Sequence, residues 1–135
     1  MNLLIFTGRL ANTPELETRG DTKLTRYRLI RNEYAGKDAA GQRRERQVSV
    51  AFTSFGQQAE FLAGNALVGD QLVIHAEIRN NNYTDSDGRE RYEFNFHTKD
   101  VEFGAPGPEK RRRMAEGKGS SEQAPQQAPA DNYDF

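Results

Sequence analysis

The stretch Val48–Leu62, VSVAFTSFGQQAEFL, constrains the fold most, because it passes from a strand to a helix within one short segment. Its first apolar residues recur at period two and predict a strand with one buried face. Phe55 falls on the opposite face, among small and polar residues. A glycine follows it and precedes a helix predicted over 57–65, in which Phe61 and Leu62 are expected to be buried. This pattern favours a β-barrel that presents an aromatic ring to a ligand.

The rest of the apolar pattern predicts further strands. They are expected at Leu3–Leu10, Leu24–Tyr34, Gln71–Arg79 and in a hairpin over Asn80–Phe103. Gly8 predicts a bend or a close approach of another backbone, and Tyr92, Phe94 and Phe96 alternate on one hairpin face and are expected in the core. About five long strands with one short helix after the third predict an all-β, five-stranded Greek-key barrel, the OB-fold.

Composition divides the chain of 135 residues into a domain and a tail. The mean hydropathy of -0.91 is low for a fully packed chain. Residues 1–103 are predicted to form the OB-fold domain, and residues 104–135, rich in Pro, Gly and Gln, a disordered tail. The absence of Cys excludes disulfides and thiolate metal sites, no cofactor is indicated, and the apolar runs are too short for a membrane span.

The charge balance excludes a globally basic nucleic-acid-binding surface. The net charge is -1, and residues 1–103 carry 14 Lys and Arg against 15 Asp and Glu. Nucleic-acid binding must therefore depend on where the charges lie rather than on their sum.

Aromatic and basic residues from several strands mark a candidate interface. Tyr34, Phe55 and Tyr83 come from three strands or strand ends, as a shared base-stacking surface requires. The basic residues assigned to the same surface are Arg9, Arg26, Arg28, Arg43 and Arg44. The alternative for the arginines is an ordinary solvated face or a solubilising loop.

The C-terminal end has the form of a short docking peptide. An aromatic carboxy-terminus preceded by acids can place its ring in a pocket and its carboxylate on a basic side chain. The residues concerned are Asp131, Tyr133, Asp134 and Phe135. A terminus without function is the alternative.

Five segments in order resemble the bacterial-type single-stranded DNA-binding protein (SSB) family. They are GRL at 8–10, TPEL at 13–16, YRLIRN at 27–32, AFTSFGQQAE at 51–60 and NYTDSDGRERYE at 82–93. The resemblance implies an OB-fold domain that wraps single-stranded DNA, assembled as a homotetramer or a homodimer. It also implies that the tail tip recruits genome-maintenance proteins.

The resemblance carries over to particular residues. Phe55 and Tyr83 match the family's stacking aromatics, and Tyr34 lies close to another. A fourth stacking aromatic of the family falls near Ser49, which cannot stack, and this difference implies weaker binding or a different path of the DNA strand. The tip ends in Tyr133-Asp134-Phe135 rather than in several aspartates, an apolar residue, Pro and Phe, which favours a divergent mobile-element or phage variant.

The function favoured by the sequence is sequence-tolerant binding and protection of single-stranded DNA in replication, recombination or repair, in the cytoplasm at the nucleoid. The alternative is an OB-fold oligomeric adaptor that binds nucleic acid weakly. An enzyme is not favoured, because Asp85 and Asp87 lack a third acid or a His at nuclease spacing. The same turn does not match a calcium loop, and His97 has no partner at metal spacing.

Overall fold

The computed structural model describes residues 1–120, which form a closed β-barrel with two helices. The strands are β1 (Leu4–Leu10), β2 (Glu17–Arg19), β3 (Thr22–Lys37), β4 (Arg43–Phe55), β5 (Gln71–Thr84) and β6 (Glu90–Phe103). The helices are α1 (Gly56–Asn65) and α2 (Pro108–Ser120). Within this range, neither helix has the length and apolar character that crossing a bilayer requires.

Five long strands close the barrel in the order β1-β5-β6-β4-β3, and β3 then pairs with β1. β2 adds a short edge to β3. β4 and β6 run parallel, whereas the other pairs are antiparallel. With α1 between the third and fourth long strands, this is the predicted OB-fold Greek-key barrel, and the prediction is confirmed.

Gly8 allows the barrel to close where β1 crosses β3. A Cβ atom on Gly8 would lie 2.7 Å from the carbonyl oxygen of Ile30 and 3.0 Å from the Phe6 ring. Because the nearest atom belongs to a backbone, a side chain at this position would push the two strands apart. The close approach predicted from the sequence is confirmed.

The inward faces of the strands form one apolar core, which α1 covers at one end. The rings of Tyr27 and Phe52 stack at its centre, 5.8 Å apart. The other buried members are Leu10, Leu29, Leu62, Ala66, Leu72, Ile74 and Ala76. Gly56, at φ 66°, permits the sharp turn from β4 into α1. The turn leaves Phe55 outside the core.

Three aromatic residues expected in the core are exposed, so those predictions were wrong. Tyr92 and Phe94 are 71% and 65% exposed. In this part of the β5–β6 hairpin the two strands pair with each other beyond the barrel, and within residues 1–120 no third strand pairs with them there. Phe61 is 50% exposed because its ring lies against Phe103 at the domain surface. Leu62 is buried as predicted.

The described structure continues beyond Phe103, where the sequence predicted the tail to begin. The Gly107 backbone N–H donates to Oδ1 of Asp70 at 2.8 Å, and Nζ of Lys110 in α2 lies 2.8 Å from Oδ2. The Asp70 side chain is 1% exposed. Composition gave no sign of this buried anchor, to which Gly107 and Lys110 contribute from within the predicted tail. The rest of the predicted tail, 121–135, lies outside the described residues.

Candidate nucleic-acid interface

The outward sides of β3, β4, β6 and β5 form a continuous surface, which we term the outer face. One row of paired residues shows which side chains belong to this face, because residues directly opposite each other in a sheet project to the same side. The row runs from Arg26 to Thr53, His97 and Glu77. Alternation along the strands then places Phe55, Arg79 and Tyr83 on the same face.

Phe55, the last residue of β4, projects from the outer face beside His97. Its side chain is 42% exposed, and its ring centroid lies 5.1 Å from that of His97 at an interplanar angle of 43°. An open hollow lies on each side of this pair. One, of about 500 Å³, is lined by Arg19, Leu24, Arg26, Thr53, Asn81, Glu93 and Asn95. The other, of about 480 Å³, is lined by Gln58, Arg79, Thr98 and Lys99. Planar groups entering either hollow would meet these rings.

The two predicted tyrosines lie farther out on the same face. Tyr83 is 43% exposed, and its hydroxyl donates to Oε2 of Glu93 at 3.2 Å. This hydrogen bond raises the pKa of Tyr83 above 10.0, so the phenol remains protonated at neutral pH. Tyr34 is 53% exposed, with the Arg43 guanidinium 4.8 Å from its ring centroid. Both rings are accessible to a ligand.

The Arg28 side chain occupies the surface near Ser49, where the family resemblance implied an aromatic ring. Nη1 of Arg28 donates to Oγ of Ser49 at 2.7 Å. A basic group therefore covers the site at which a fourth aromatic was missing. This part of the outer face can contact a phosphate but offers no ring from Ser49.

Two predicted basic residues lie outside the outer face. The guanidinium of Arg9 donates to the carbonyl oxygens of Gly69 and Ala105 at 3.0 and 3.5 Å, which ties β1 to neighbouring loops. Arg44 alternates with Arg43 along β4 and so projects from the opposite side of the strand. Arg26, Arg28 and Arg43 do lie on the outer face.

Several cations of the outer face already contact carboxylates. Nε of Arg79 donates to Glu77 at 2.6 Å, and Lys99 lies 3.5 Å from the same side chain. The hydrogen bond from Arg79, together with the charges of both cations, lowers the pKa of Glu77 below 4.5. Arg26 lies 3.9 Å from Glu17. The local charge is thus nearly balanced, as the net charge of the chain suggested, and a polyanion must compete with these acids.

Three residues of the outer face were not predicted from the sequence: His97, Arg79 and Lys99. His97 meets Phe55 through the parallel β4–β6 contact at Thr53, which local periodicity does not reveal. Arg79 could have been found, because it precedes Tyr83 by four residues and so shares its strand face.

The Asp85 turn has a structural role. Oδ1 of Asp85 accepts the backbone N–H groups of Asp87 and Arg89, and Oδ2 accepts Nε of Arg91 at 2.8 Å. Among residues 1–120, no cluster of three or more His, Asp or Glu side chains could hold a metal ion. The predicted docking residues Asp131, Tyr133, Asp134 and Phe135 lie outside the described range.

Known proteins resemble this chain in sequence and in fold. The chain is 30% identical over 93 residues to a single-stranded DNA-binding protein of Xanthomonas campestris and 31% identical over 93 residues to one of Xylella fastidiosa. Each match covers 68% of this chain and 54% or 56% of the relative, so the chain spans about half the length of these curated relatives.

A solved structure, a Plasmodium falciparum SSB complex with ssDNA, matches 77% of this chain and 95% of its own chain. The TM-score is 0.66 at 12% sequence identity, a likeness of fold. The model of the Single-strand binding protein family matches residues 1–104, which comprise the whole barrel. The chain therefore belongs to the Single-strand binding protein family.

Proposed function

We propose that this protein binds and protects single-stranded DNA with little sequence preference, in replication, recombination or repair. The observation that carries the proposal is the exposed Phe55 ring between two hollows lined by cations and amides. Unpaired bases expose the faces that such a ring can stack on, whereas a duplex hides them. The proposed function includes no catalytic step.

The proposed mechanism combines stacking with phosphate contacts. Phe55 and Tyr83 stack on separate bases, each contributing about 1–3 kcal/mol irrespective of base identity. Arg26, Arg28 and Arg79 approach the phosphates between the stacked bases. Since Arg26 and Arg79 lie near carboxylates, stacking supplies a larger share of the affinity than it would on a strongly basic surface.

A titration of fluorescent oligo(dT) with the full chain tests this function, with a duplex of equal length as the comparison. We expect oligo(dT) to bind much more tightly than the duplex, and the affinity to fall as salt is raised from 50 to 200 mM. Equal binding of both nucleic acids, or no binding of either, would contradict the proposal. Weak oligo(dT) binding combined with partner capture would favour the adaptor alternative, which the carboxylate-paired cations support.

Replacing Glu77 with glutamine should strengthen binding of single-stranded DNA. The Glu77→Gln change removes the carboxylate that holds Arg79 and Lys99, so both cations become available to phosphates. We expect roughly two- to fivefold tighter oligo(dT) binding at low salt, in keeping with the small effect of exposed charge pairs. Glu60→Gln is the matched control, because it breaks an exposed pair with Lys23 outside the hollows. Unchanged or weaker binding by Glu77→Gln would show that Glu77 does not compete with DNA.

We also propose that the protein assembles, most simply as the homotetramer implied by the family resemblance or as a homodimer. Ile78, Phe94 and Tyr92 form an exposed apolar strip on the inner side of the β5–β6 hairpin, 41%, 65% and 71% exposed. A second copy of the chain would cover this strip. Light scattering of the full chain gives the mass, and a monomer at micromolar concentration would refute the assembly.

Partner recruitment and cellular location complete the proposal. The tip residues Asp131, Tyr133, Asp134 and Phe135 would dock genome-maintenance proteins, and the protein would act at the nucleoid in the cytoplasm. Deleting 131–135 should abolish partner capture and leave oligo(dT) affinity unchanged. Loss of oligo(dT) affinity in this variant would contradict the separation of the two roles.

A further inference from the structure

His97 lies at the centre of the outer face and makes few contacts there. It faces Thr53 on β4 and Glu77 on β5, and its ring lies 5.1 Å from that of Phe55. Within residues 1–120, neither imidazole nitrogen hydrogen-bonds to another protein group. The ring is half-buried, so one side packs on the domain while its polar edge remains available to a ligand.

His97 and Phe55 together separate the two hollows of the outer face. Both residues line the hollow that contains Arg26 and Asn95, and both line the one that contains Arg79. A base that occupies either hollow would therefore touch this pair of rings. The rings of Phe55 and His97 therefore form one ridge between the two hollows.

We propose that His97 contacts nucleobases directly, forming with Phe55 one stacking ridge at the centre of the single-stranded DNA path. This inference rests on the proposed function and adds a binding residue to it. The imidazole face offers a π-surface to a base, and its nitrogens can donate to or accept from base edges or phosphates. The ridge compensates in part for the ring that is missing at Ser49, although it lies at a different point along β4.

The charges around His97 make its contribution depend on pH. The charged groups that face it or line the adjoining hollows are Glu77, Arg79, Glu93, Lys99, Arg26 and Arg19. Burial and the positive charge of Arg79 lower the pKa of His97 below 6.5, against the opposing effect of Glu77. The imidazole is thus neutral at pH 7.5. A nearby phosphate favours the protonated form, so by linkage DNA binding should strengthen as the pH falls below 6.5.

The test is a fluorescence-anisotropy titration of labelled oligo(dT) at pH 7.5 and 5.5. At pH 7.5, we expect His97→Ala to bind about five- to thirtyfold more weakly, from the loss of part of one stacking contact. His97→Phe should keep the wild-type affinity at pH 7.5, because it retains a ring. The wild type should tighten at pH 5.5, with a salt slope steeper by up to about 0.7, and His97→Phe should show neither change.

The chain's other histidine supplies the matched control. His75 faces Ile5 and Asp100 and lines neither hollow, so His75→Gln should behave as the wild type at both pH values. If the wild type binds oligo(dT) while His97→Ala and His97→Phe match it in affinity and pH dependence, the imidazole is only a structural neighbour of Phe55 and the inference is wrong. If the wild type itself does not bind oligo(dT), the proposed function is wrong as well.

Discussion

Replacing both Phe55 and Tyr83 with alanine is expected to weaken oligo(dT) binding by at least roughly 30-fold, because two stacking contacts of about 1–3 kcal/mol each are lost. The two rings serve different bases. Glu77 pairs with His97, whose ring lies beside that of Phe55. Tyr83 lies six residues from Glu77 along β5, a separation of about 20 Å. The single-variant losses should therefore add in the double variant.

The double variant should retain its fold, because both side chains project from the barrel and are more than 40% exposed. Circular dichroism and the urea unfolding midpoint would verify this. Phe61→Ala is a suitable control, since it removes an equally exposed ring that packs on Phe103 instead of lining either hollow. Wild-type affinity in the Phe55→Ala, Tyr83→Ala protein would refute the stacking mechanism.

Replacing Asp70 with alanine is expected to destabilise the domain by about 2–4 kcal/mol, measured as a lower urea midpoint. The buried carboxylate accepts the backbone N–H groups of Leu67 and Gly107 and pairs with Lys110. Its removal leaves these donors without their acceptor and weakens the attachment of α2 to the barrel. Asp100 is an exposed aspartate that accepts the backbone N–H of Val101. Asp100→Ala should therefore lower the urea midpoint much less. A midpoint as high as that of the wild type in Asp70→Ala would contradict the anchoring role.

Lowering the pH should reproduce part of the loss of stability expected for Asp70→Ala. Burial raises the pKa of Asp70, but the bonds from Lys110, Gly107 and Leu67 outweigh it and leave the pKa below its ordinary value of 3.8. The carboxylate therefore contributes stability that is fully present above pH 3.8 and is lost as the pH falls through the folded-state pKa. Urea midpoints measured from pH 5 to pH 2 should fall less steeply for Asp70→Asn than for the wild type. Parallel curves for the two proteins would exclude this contribution.

Local periodicity was sufficient to predict the barrel, the helix and the exposure of Phe55. The strand before Gly56 alternates cleanly, and Gly8 marks the close approach to Ile30. These features depend on the pleat and on backbone sterics, which act over a few residues.

The errors concern residues whose surroundings are set by distant parts of the chain. Tyr92 and Phe94 alternate as a core strand does, but their part of the hairpin lies beyond the barrel. His97 reaches Phe55 only through the pairing of β4 with β6. Lys110, within an apparently solubilising charge run, binds a buried carboxylate 40 residues earlier in the chain. Such contacts follow from topology and are not encoded in neighbouring residues.

The β5–β6 hairpin carries Tyr83 on one side and Tyr92 and Phe94 on the other, with the same two strands forming both surfaces. Any molecule that immobilises one side reduces the conformational entropy that remains to be lost on the other. Contacts on the two sides are then thermodynamically coupled, and the coupling is reciprocal. If a second copy of the chain covers Tyr92 and Phe94 as proposed, the measured DNA affinity should vary with protein concentration, even if no residue contacts DNA and the second chain at once.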